Sequence, residues 1–212
     1  MRDRPSKDLL RRLALAAGPP GAEDEVRGVV HDALAGLGPI EHDRLGSVVC
    51  TLAGPADGPR VMLGAHLDEV GFLVQSVGKD GEIAIQALGG WWGHVLPAQR
   101  VEILTRGGVV PGVIGSKPPH FLRPDERERV QAVEAMYVDV GATSREDVER
   151  LAVEVGDPIV PRAEWCEMAV PGVVSCKALD NRIGVGLMCD ALGELANDPS
   201  PTTTVVGVAT VQ

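Results

Sequence analysis

The chain is poor in aromatic residues, which make up only 3% of its 212 residues, although 44% of the residues are hydrophobic. Aliphatic side chains and alanine must therefore fill any core. The length and the hydrophobic content suffice for one large domain or two small ones. The shortage of aromatic residues thus does not exclude a folded core of ordinary size.

The sequence also lacks any run of lysine and arginine, and its formal net charge is -10 with an isoelectric point of about 4.9. Such a surface repels the phosphates of nucleic acids and anionic lipid headgroups. No apolar stretch approaches the length of a membrane span, and the N-terminal segment MRDRPSKDLLRRL has no apolar signal-peptide core. We therefore expect no nucleic-acid partner, no membrane association and a cytoplasmic location.

Cysteine is scarce and shows no C-x-x-C spacing, so a zinc ribbon and a disulfide framework are both disfavoured. We expect reduced, mostly buried thiols at the four positions, Cys50, Cys166, Cys176 and Cys189.

The two ends of the chain have the pattern of an α/β domain. Helical periodicity covers residues 7–16 and 22–37, followed by two strand-like runs, SVVCTLAG and RVMLGAHLDEVG. A second α/β segment follows Trp165 and ends in TTTVVGVATVQ, whose valines form a near-continuous apolar run. Such a run is typical of a strand covered on both faces of a mostly parallel sheet.

The middle of the chain is different, because short strands alternate with glycine and proline turns from FLVQSVG to AMYVDVGA. A helix capped by Ser144 interrupts them at 144–151. The pattern predicts an α/β domain of residues 1–71 and 166–212. It contains a β-rich insertion at 72–165, a small β-barrel or PDZ-like domain.

Two segments carry side chains suited to metal chemistry. His66 ends an apolar strand, and Asp68 is spaced to hold the second ring nitrogen of that histidine. Asp180 lies between a strand and a helix, where the chain reaches the carboxyl edge of the sheet. Taken singly, His66 is also compatible with a surface histidine, and Asp180 with a helix N-cap.

The remaining histidines carry no comparable signal. His31 lies off the apolar stripe of its helix and His42 lies in a polar turn, so both are predicted to be solvated. His94 is predicted to pack or to donate hydrogen bonds, and His120 to belong to a loop of the insertion.

Considered together, the segments resemble a known family. The order HLDEVG, SKPPH, GATSRED, KALDNR and ATVQ is similar to that of the tetrahedral (TET) metallo-aminopeptidases of clan MH. These are the glutamyl and deblocking aminopeptidases, some of them labelled endoglucanase M. The resemblance runs along the whole chain and corresponds to the N-terminal two-thirds of such an enzyme. It implies a zinc-peptidase-like α/β fold with flanking helices around the insertion.

The resemblance also implies roles for individual residues. His66 would bind one metal ion, Asp180 would bridge two, and Asp68 would orient the His66 ring. The cofactor would be two divalent ions, zinc or cobalt, with manganese as a further candidate. A cis peptide is expected at Asp180-Asn181. The general-base glutamate would follow directly after Gln212, so this 212-residue form is expected to be inactive.

The function that the resemblance implies is metal-dependent removal of N-terminal residues from short peptides through a water activated by two metals. Self-association, as a dodecamer, is implied as well. Two alternatives stay open at this point. One is a non-catalytic, truncated paralogue that acts as an assembly or binding subunit. The other is a related carboxypeptidase or amidase of the same clan.

Overall fold

The computed structural model describes residues 6–197 and 202–211. It separates into two compact units, residues 1–69 with 164–212 and residues 70–163. These boundaries fall two residues before the ones predicted from the sequence. We refer to the discontinuous unit as the outer unit and to residues 70–163 as the barrel unit. The described part contains no helix that is both long and apolar enough to cross a membrane.

The outer unit begins with two helices and three strands. Ser6 caps α1, because its hydroxyl accepts a hydrogen bond of 3.2 Å from the Leu9 amide. The apolar stripe of α2 is fully buried at Val26, Val30 and Leu34. The elements are α1 (Lys7–Leu15), α2 (Asp24–Leu34), β1 (Ile40–His42), β2 (Val48–Leu52) and β3 (Arg60–His66).

The barrel unit consists of β4 (Gly71–Val77), β5 (Ile83–Leu88), β6 (Arg100–Thr105), β7 (Gly108–Gly115), α3 (Pro124–Arg127), β8 (Tyr137–Asp139), α4 (Arg145–Arg150) and β9 (Pro158–Pro161). The strands close in the order β4-β5-β8-β7-β6-β9. Alternate residues point inward, so that the pairs Phe72 and Val74, and Ile83 and Ile85, are buried. The predicted insertion is therefore a small closed barrel.

The outer unit resumes with β10 (Cys166–Glu167), β11 (Val174–Ser175), α5 (Leu179–Leu195) and β12 (Thr204–Thr210). The main sheet has the order β1-β2-β12-β3. β12 pairs in parallel with β3 and antiparallel with β2, and the β1–β2 pair is also antiparallel. The predicted terminal strand is thus an internal strand of this sheet. Its last predicted residue, Gln212, lies outside the described residues.

Helix packing buries one face of the main sheet. Met188, Cys189 and Leu192 of α5 share a core cluster with the α2 stripe and with Val205 and Ala209 of β12. The predicted α/β fold with an inserted barrel is observed, but the main sheet is not mostly parallel as expected: of its three pairs, only β12–β3 is parallel, because β2 pairs antiparallel with both of its neighbours. The parallel pair is the part that positions the candidate site.

Candidate metal centre

The imidazole of His66 lies between two aspartates. It is the last residue of β3, where the strand delivers it to the carboxyl edge of the sheet. Its Nε2 atom is 3.2 Å from Oδ1 of Asp180, which is separated from it by 114 residues along the chain. Its Nδ1 atom is 3.2 Å from the backbone oxygen and 3.3 Å from Oδ1 of Asp68. The structure thus brings together all three residues that the sequence singled out.

An irregular start of α5 presents Asp180. Ala178 has the left-handed backbone conformation, with φ of 54° and ψ of 18°. Asp180 and Asn181 have non-helical dihedral angles, and the Asp180-Asn181 peptide is cis, as the resemblance implied. The Asn181 side chain accepts a hydrogen bond of 3.1 Å from the Gly184 amide, where regular helix begins. The Asp180 carboxylate is therefore free of a capping role and is 97% exposed.

Each ring nitrogen of His66 faces oxygen atoms that can only accept hydrogen bonds, so a neutral ring can donate to one side at a time. In the tautomer with the proton on Nδ1, the ring donates to the backbone oxygen of Asp68. The lone pair of Nε2 then faces the carboxylate of Asp180, which is another acceptor. Two acceptors at 3.2 Å are a stable arrangement only when a cation or a proton lies between them.

The donor set fits a divalent ion. Imidazole nitrogen and carboxylate oxygen are ordinary zinc ligands at about 2.0–2.2 Å, so two of them on one ion lie within about 4.4 Å of each other. Nε2 of His66 and Oδ1 of Asp180 meet this condition. Within residues 6–197 and 202–211, however, no group of three or more histidine, cysteine or acidic side chains is arranged to hold a metal.

A buried charge cluster lies behind the centre, and sequence reasoning missed it. Nζ of Lys177 is 2.5 Å from Oε1 of Glu69, and both side chains are almost fully buried. Burial raises the pKa of Glu69, and the nearby Lys177 ammonium opposes that rise. Arg182 is completely buried, and its desolvation lowers the pKa of the guanidinium. The only sequence signal was the position of these residues beside Asp68 and Asp180.

A second histidine contact was also missed. His31 and His42, predicted to be solvated, approach each other with 3.0 Å between their Nε2 atoms. Only the helical and strand registers together could have indicated this pair. His94 packs edge-on against Trp92, with 4.7 Å between ring centroids, and the ring of His120 is tilted by 47° against that of Phe121 at 4.5 Å. Neither reaches a charged partner in these contacts.

Comparison with known proteins assigns the chain to a family. The family model for M42 glutamyl aminopeptidase matches residues 46–212. The chain belongs to this family. The TET resemblance seen in the sequence is thereby confirmed, and both His66 and Asp180 lie within the matched residues.

Individual relatives of this M42 chain support the assignment. FrvX of Escherichia coli (strain K12) is 39% identical over 97% of the chain. The glutamyl aminopeptidase of Lactococcus lactis subsp. cremoris (strain MG1363) is 33% identical over 94% of it. The chain covers 56% and 58% of these two proteins, a little over half of their length.

Solved structures agree with the fold. The TET aminopeptidase of the marine sediment archaeon Thaumarchaeota archaeon SCGC AB-539-E09 superposes with a TM-score of 0.92 at 40% identity. The match covers 97% of this chain and 58% of that one. TET1 peptidase of Pyrococcus horikoshii, which can assemble into a tetrahedron or a large octahedral shell, matches at 27% identity with a TM-score of 0.84. That match covers 96% of this chain and 60% of the other.

Proposed function

We propose that this M42 chain forms the metal-binding part of an aminopeptidase that removes N-terminal residues from short peptides. The observation that carries the proposal is the approach of two acceptors, Nε2 of His66 and Oδ1 of Asp180, to 3.2 Å. Both residues would be satisfied as ligands of one metal ion, and family membership supports the peptidase activity. When bound, divalent ions supply a water nucleophile at neutral pH and polarise the peptide carbonyl.

The residues of this chain would divide the work as follows. His66 and Asp180 would hold the metal, and the exposed Asp180 carboxylate would be the ligand shared between two ions. The backbone oxygen of Asp68 would accept the Nδ1 proton of His66 and keep the Nε2 lone pair directed outward, and the Asp68 carboxylate, 3.3 Å from Nδ1, would raise the basicity of the ring.

The number of visible ligands limits what the 212-residue chain can do. A catalytic zinc takes three protein ligands and keeps one position open, whereas His66 and Asp180 supply two. The polypeptide should therefore bind at most one divalent ion at this centre, weakly, and should hydrolyse peptides negligibly. Zinc, cobalt and manganese all suit a mixed imidazole and carboxylate site.

Cobalt titration of the 212-residue polypeptide tests the proposal, because bound Co²⁺ gives a visible spectrum. The His66→Asn and Asp180→Asn variants should each abolish the visible absorption of Co²⁺ bound at this centre. The matched controls His120→Asn and Asp57→Asn alter exposed residues elsewhere and should leave it unchanged. Equal cobalt binding by all four variants would refute the assignment of the centre. Rapid turnover of an aminoacyl chromogenic substrate would refute the predicted inactivity.

Self-association is a further part of the proposal. It is supported by the likeness to TET1 peptidase, a protein that assembles into closed shells. We propose a homo-oligomer, a dodecamer by this resemblance, and light scattering after size-exclusion chromatography measures its mass. The cytoplasmic location is proposed because all four cysteines are free thiols, which suits a reducing compartment.

A further inference from the structure

The end of α1 is held by two cations that come from either side of Asp180. Lys177 donates from Nζ to the backbone oxygen of Ala16 at 3.3 Å. Arg182 donates from Nη1 to the backbone oxygens of Leu13 and Ala16, the latter at 3.3 Å. These oxygens belong to the last turn of α1 and the residue after it, where carbonyl groups lack partners within the helix. Positive charge is also favoured there by the helix dipole.

Glu69 joins this turn to the end of β3. Its amide donates to the Gly18 oxygen at 2.9 Å, and its Oε1 accepts from the Gly18 amide at 3.2 Å. The same Oε1 lies 2.5 Å from Nζ of Lys177. Glu69 is one residue from Asp68 and three from His66, so it fixes the strand end that carries both. We call Glu69, Lys177 and Arg182 the buried clamp.

The clamp encloses the irregular segment at residues 178–181. Lys177 precedes this segment and Arg182 follows it, and both donate to the backbone oxygen of Ala16 at the end of α1. The segment contains Ala178 in the left-handed conformation, which a non-glycine residue adopts mainly under constraint from its surroundings, followed by the non-helical Asp180. We propose that Glu69, Lys177 and Arg182 are positioning residues that set the Asp180 carboxylate against His66. The consequence for metal binding rests on the proposed function, whereas the positioning itself does not.

A purely stabilising role is a poor explanation of the clamp. Removing charges from water is costly, and apolar residues in place of a buried ion pair are often as stabilising or more so. Arg182 is 0% exposed, and neither its Nε nor its Nη2 atom has a hydrogen-bond partner among the described residues. The three residues of the buried clamp would contribute little net stability, yet they hold the segment 178–181 at both ends. We therefore explain them by the position that they give to this segment.

A charge-balanced double variant separates positioning from stability. In Glu69→Gln with Lys177→Met, one negative and one positive charge are removed together, and glutamine still accepts from the Gly18 amide. The matched control is Lys7→Met with Glu167→Gln, an exposed pair in the same unit with the same 2.5 Å separation. Hydrogen exchange over residues 177–184, Co²⁺ affinity and the thermal midpoint are measured for both.

We expect the clamp variant to keep a cooperative thermal transition. Its residues 177–184 should exchange at least tenfold faster, and Co²⁺ should bind at least tenfold more weakly. The single variant Lys177→Arg keeps the positive charge beside Glu69, so its exchange rate and its Co²⁺ affinity should equal those of the unaltered chain. The surface control should change neither quantity. Unchanged exchange in the clamp variant would overturn the positioning role. If the unaltered chain binds no cobalt at all, the proposed function fails while hydrogen exchange still decides the role of the clamp.

A second inference arises independently from the pair His31 and His42. Their Nε2 atoms are 3.0 Å apart, and the rings are tilted by 41° with 4.9 Å between centroids. His31 lies on α2 and His42 ends β1, and both are accessible to solvent. The contact joins a helix to a strand.

The backbones of this histidine pair are fixed by other contacts. Arg27, one turn before His31, donates from Nη1 to the Gly46 oxygen at 3.1 Å, in the turn that follows β1. Asp43 holds that turn, because its Oδ1 accepts from the amides of Leu45, Gly46 and Ser47 at 2.8–2.9 Å. The same face of α2 therefore meets the hairpin at two points. The backbone segments that carry the two imidazoles are therefore held close by a contact other than that of the histidines.

Two imidazole nitrogens at this separation can chelate one transition-metal ion. Nitrogen donors at about 2.0–2.1 Å from a metal lie about 3 Å apart when they occupy neighbouring positions. We infer that His31 and His42 form a surface site for a divalent ion such as Cu²⁺ or Ni²⁺, whose remaining positions water can fill. This site uses no residue of the centre at His66.

Titration of the His66→Asn chain with Cu²⁺ tests this second site, because the other centre is then disabled. We expect one equivalent of Cu²⁺ to bind. His31→Gln and His42→Gln should each weaken that binding at least tenfold, whereas His120→Gln, which removes a histidine elsewhere, should not. Equal affinity in all three variants, or no binding at all, would overturn the inference and leave an imidazole hydrogen bond.

Discussion

Thr210 is the register partner of His66 in the parallel pair of β12 and β3. The two strands end together, and the amide of Leu67 donates to the Thr210 oxygen at 2.7 Å just beyond the pair. Residues that follow a parallel strand emerge at the carboxyl edge of the sheet, where side chains of several segments converge. The edge that carries His66 is therefore also the edge at which the chain leaves β12.

Asp68→Asn should weaken metal binding at His66 without unfolding the chain. An asparagine oxygen can still accept the Nδ1 proton, but it lacks the charge that raises the basicity of the ring. Loss of such a partner typically costs 10–100-fold in metal affinity. Competition titration with Co²⁺ gives the affinity, and circular dichroism confirms the fold. An affinity equal to that of the unaltered chain would show that Asp68 does not act through His66.

Two glycine-to-alanine substitutions should have opposite effects on stability. A Cβ atom at Gly207 would lie 2.4 Å from Cδ1 of Leu192, which is completely buried. Overpacking of this kind costs about 1–3 kcal/mol. Gly193 lies within α5 and a Cβ there meets nothing within 4 Å, so alanine should stabilise the chain by about 0.5–1 kcal/mol. Urea denaturation measures both, and destabilisation of equal size would contradict the packing argument.

The four thiols should differ in reactivity. Desolvation raises the pKa of Cys189 to about 12, and burial also raises the pKa of Cys50. Cys166 is exposed, and Cys176 is intermediate with a raised pKa. We expect an aromatic disulfide reagent to modify Cys166 first and Cys176 slowly, and to reach Cys50 and Cys189 only after denaturation. The Cys166→Ser variant should lose the fast phase; its persistence would show that one of the other three thiols reacts fast and would contradict this order of reactivity.

Acid should weaken the hairpin that follows β1. Hydrogen bonds from Ser47, by its side chain and its amide, and from the Leu45 and Gly46 amides lower the pKa of Asp43. Because the pKa is lower in the folded chain, the stabilisation is complete above the unfolded value of about 3.9 and disappears as the pH falls through the folded value.

The Asp43→Ala variant isolates this contribution of Asp43. The difference in unfolding free energy between the unaltered chain and the variant should be constant from about pH 7 to pH 5 and should shrink towards about pH 2. Thermal denaturation across this range measures it. A difference that grows on acidification would have the wrong sign for a lowered pKa.

Strand and helix positions could largely be predicted from the sequence, because apolar periodicity reflects burial. α2 shows the limits of this signal. The sequence predicts a helix over residues 22–37, whereas the observed helix extends from Asp24 to Leu34. Ala35 is extended and Gly36 has a φ of 79°, yet Leu37 still packs against the core. Apolar periodicity thus reflects the partial burial of Leu37, but it does not show that the helix ends before this residue.

The pairing of strands and the network of buried charges could be predicted from the sequence only in part. The candidate ligands His66 and Asp180 could be named because strand ends in α/β sheets share one edge. Nothing local predicts that β12 lies antiparallel to β2 on its other side, or that Lys177 meets Glu69 across 108 positions. Such contacts depend on the assembled register, and buried charges in particular run against the usual preference of lysine and glutamate for the surface.

The closure of the barrel between β4 and β9 has a practical consequence. Phe72 pairs with Ile159 and Leu73 with Pro158, so the polypeptide enters and leaves the barrel unit on adjacent strands of one wall. Only two neighbouring splice points would be needed to excise this unit or to exchange it with that of a relative. The insertion can therefore be exchanged as one piece between family members, and the joints of such chimeras would not cut through either core.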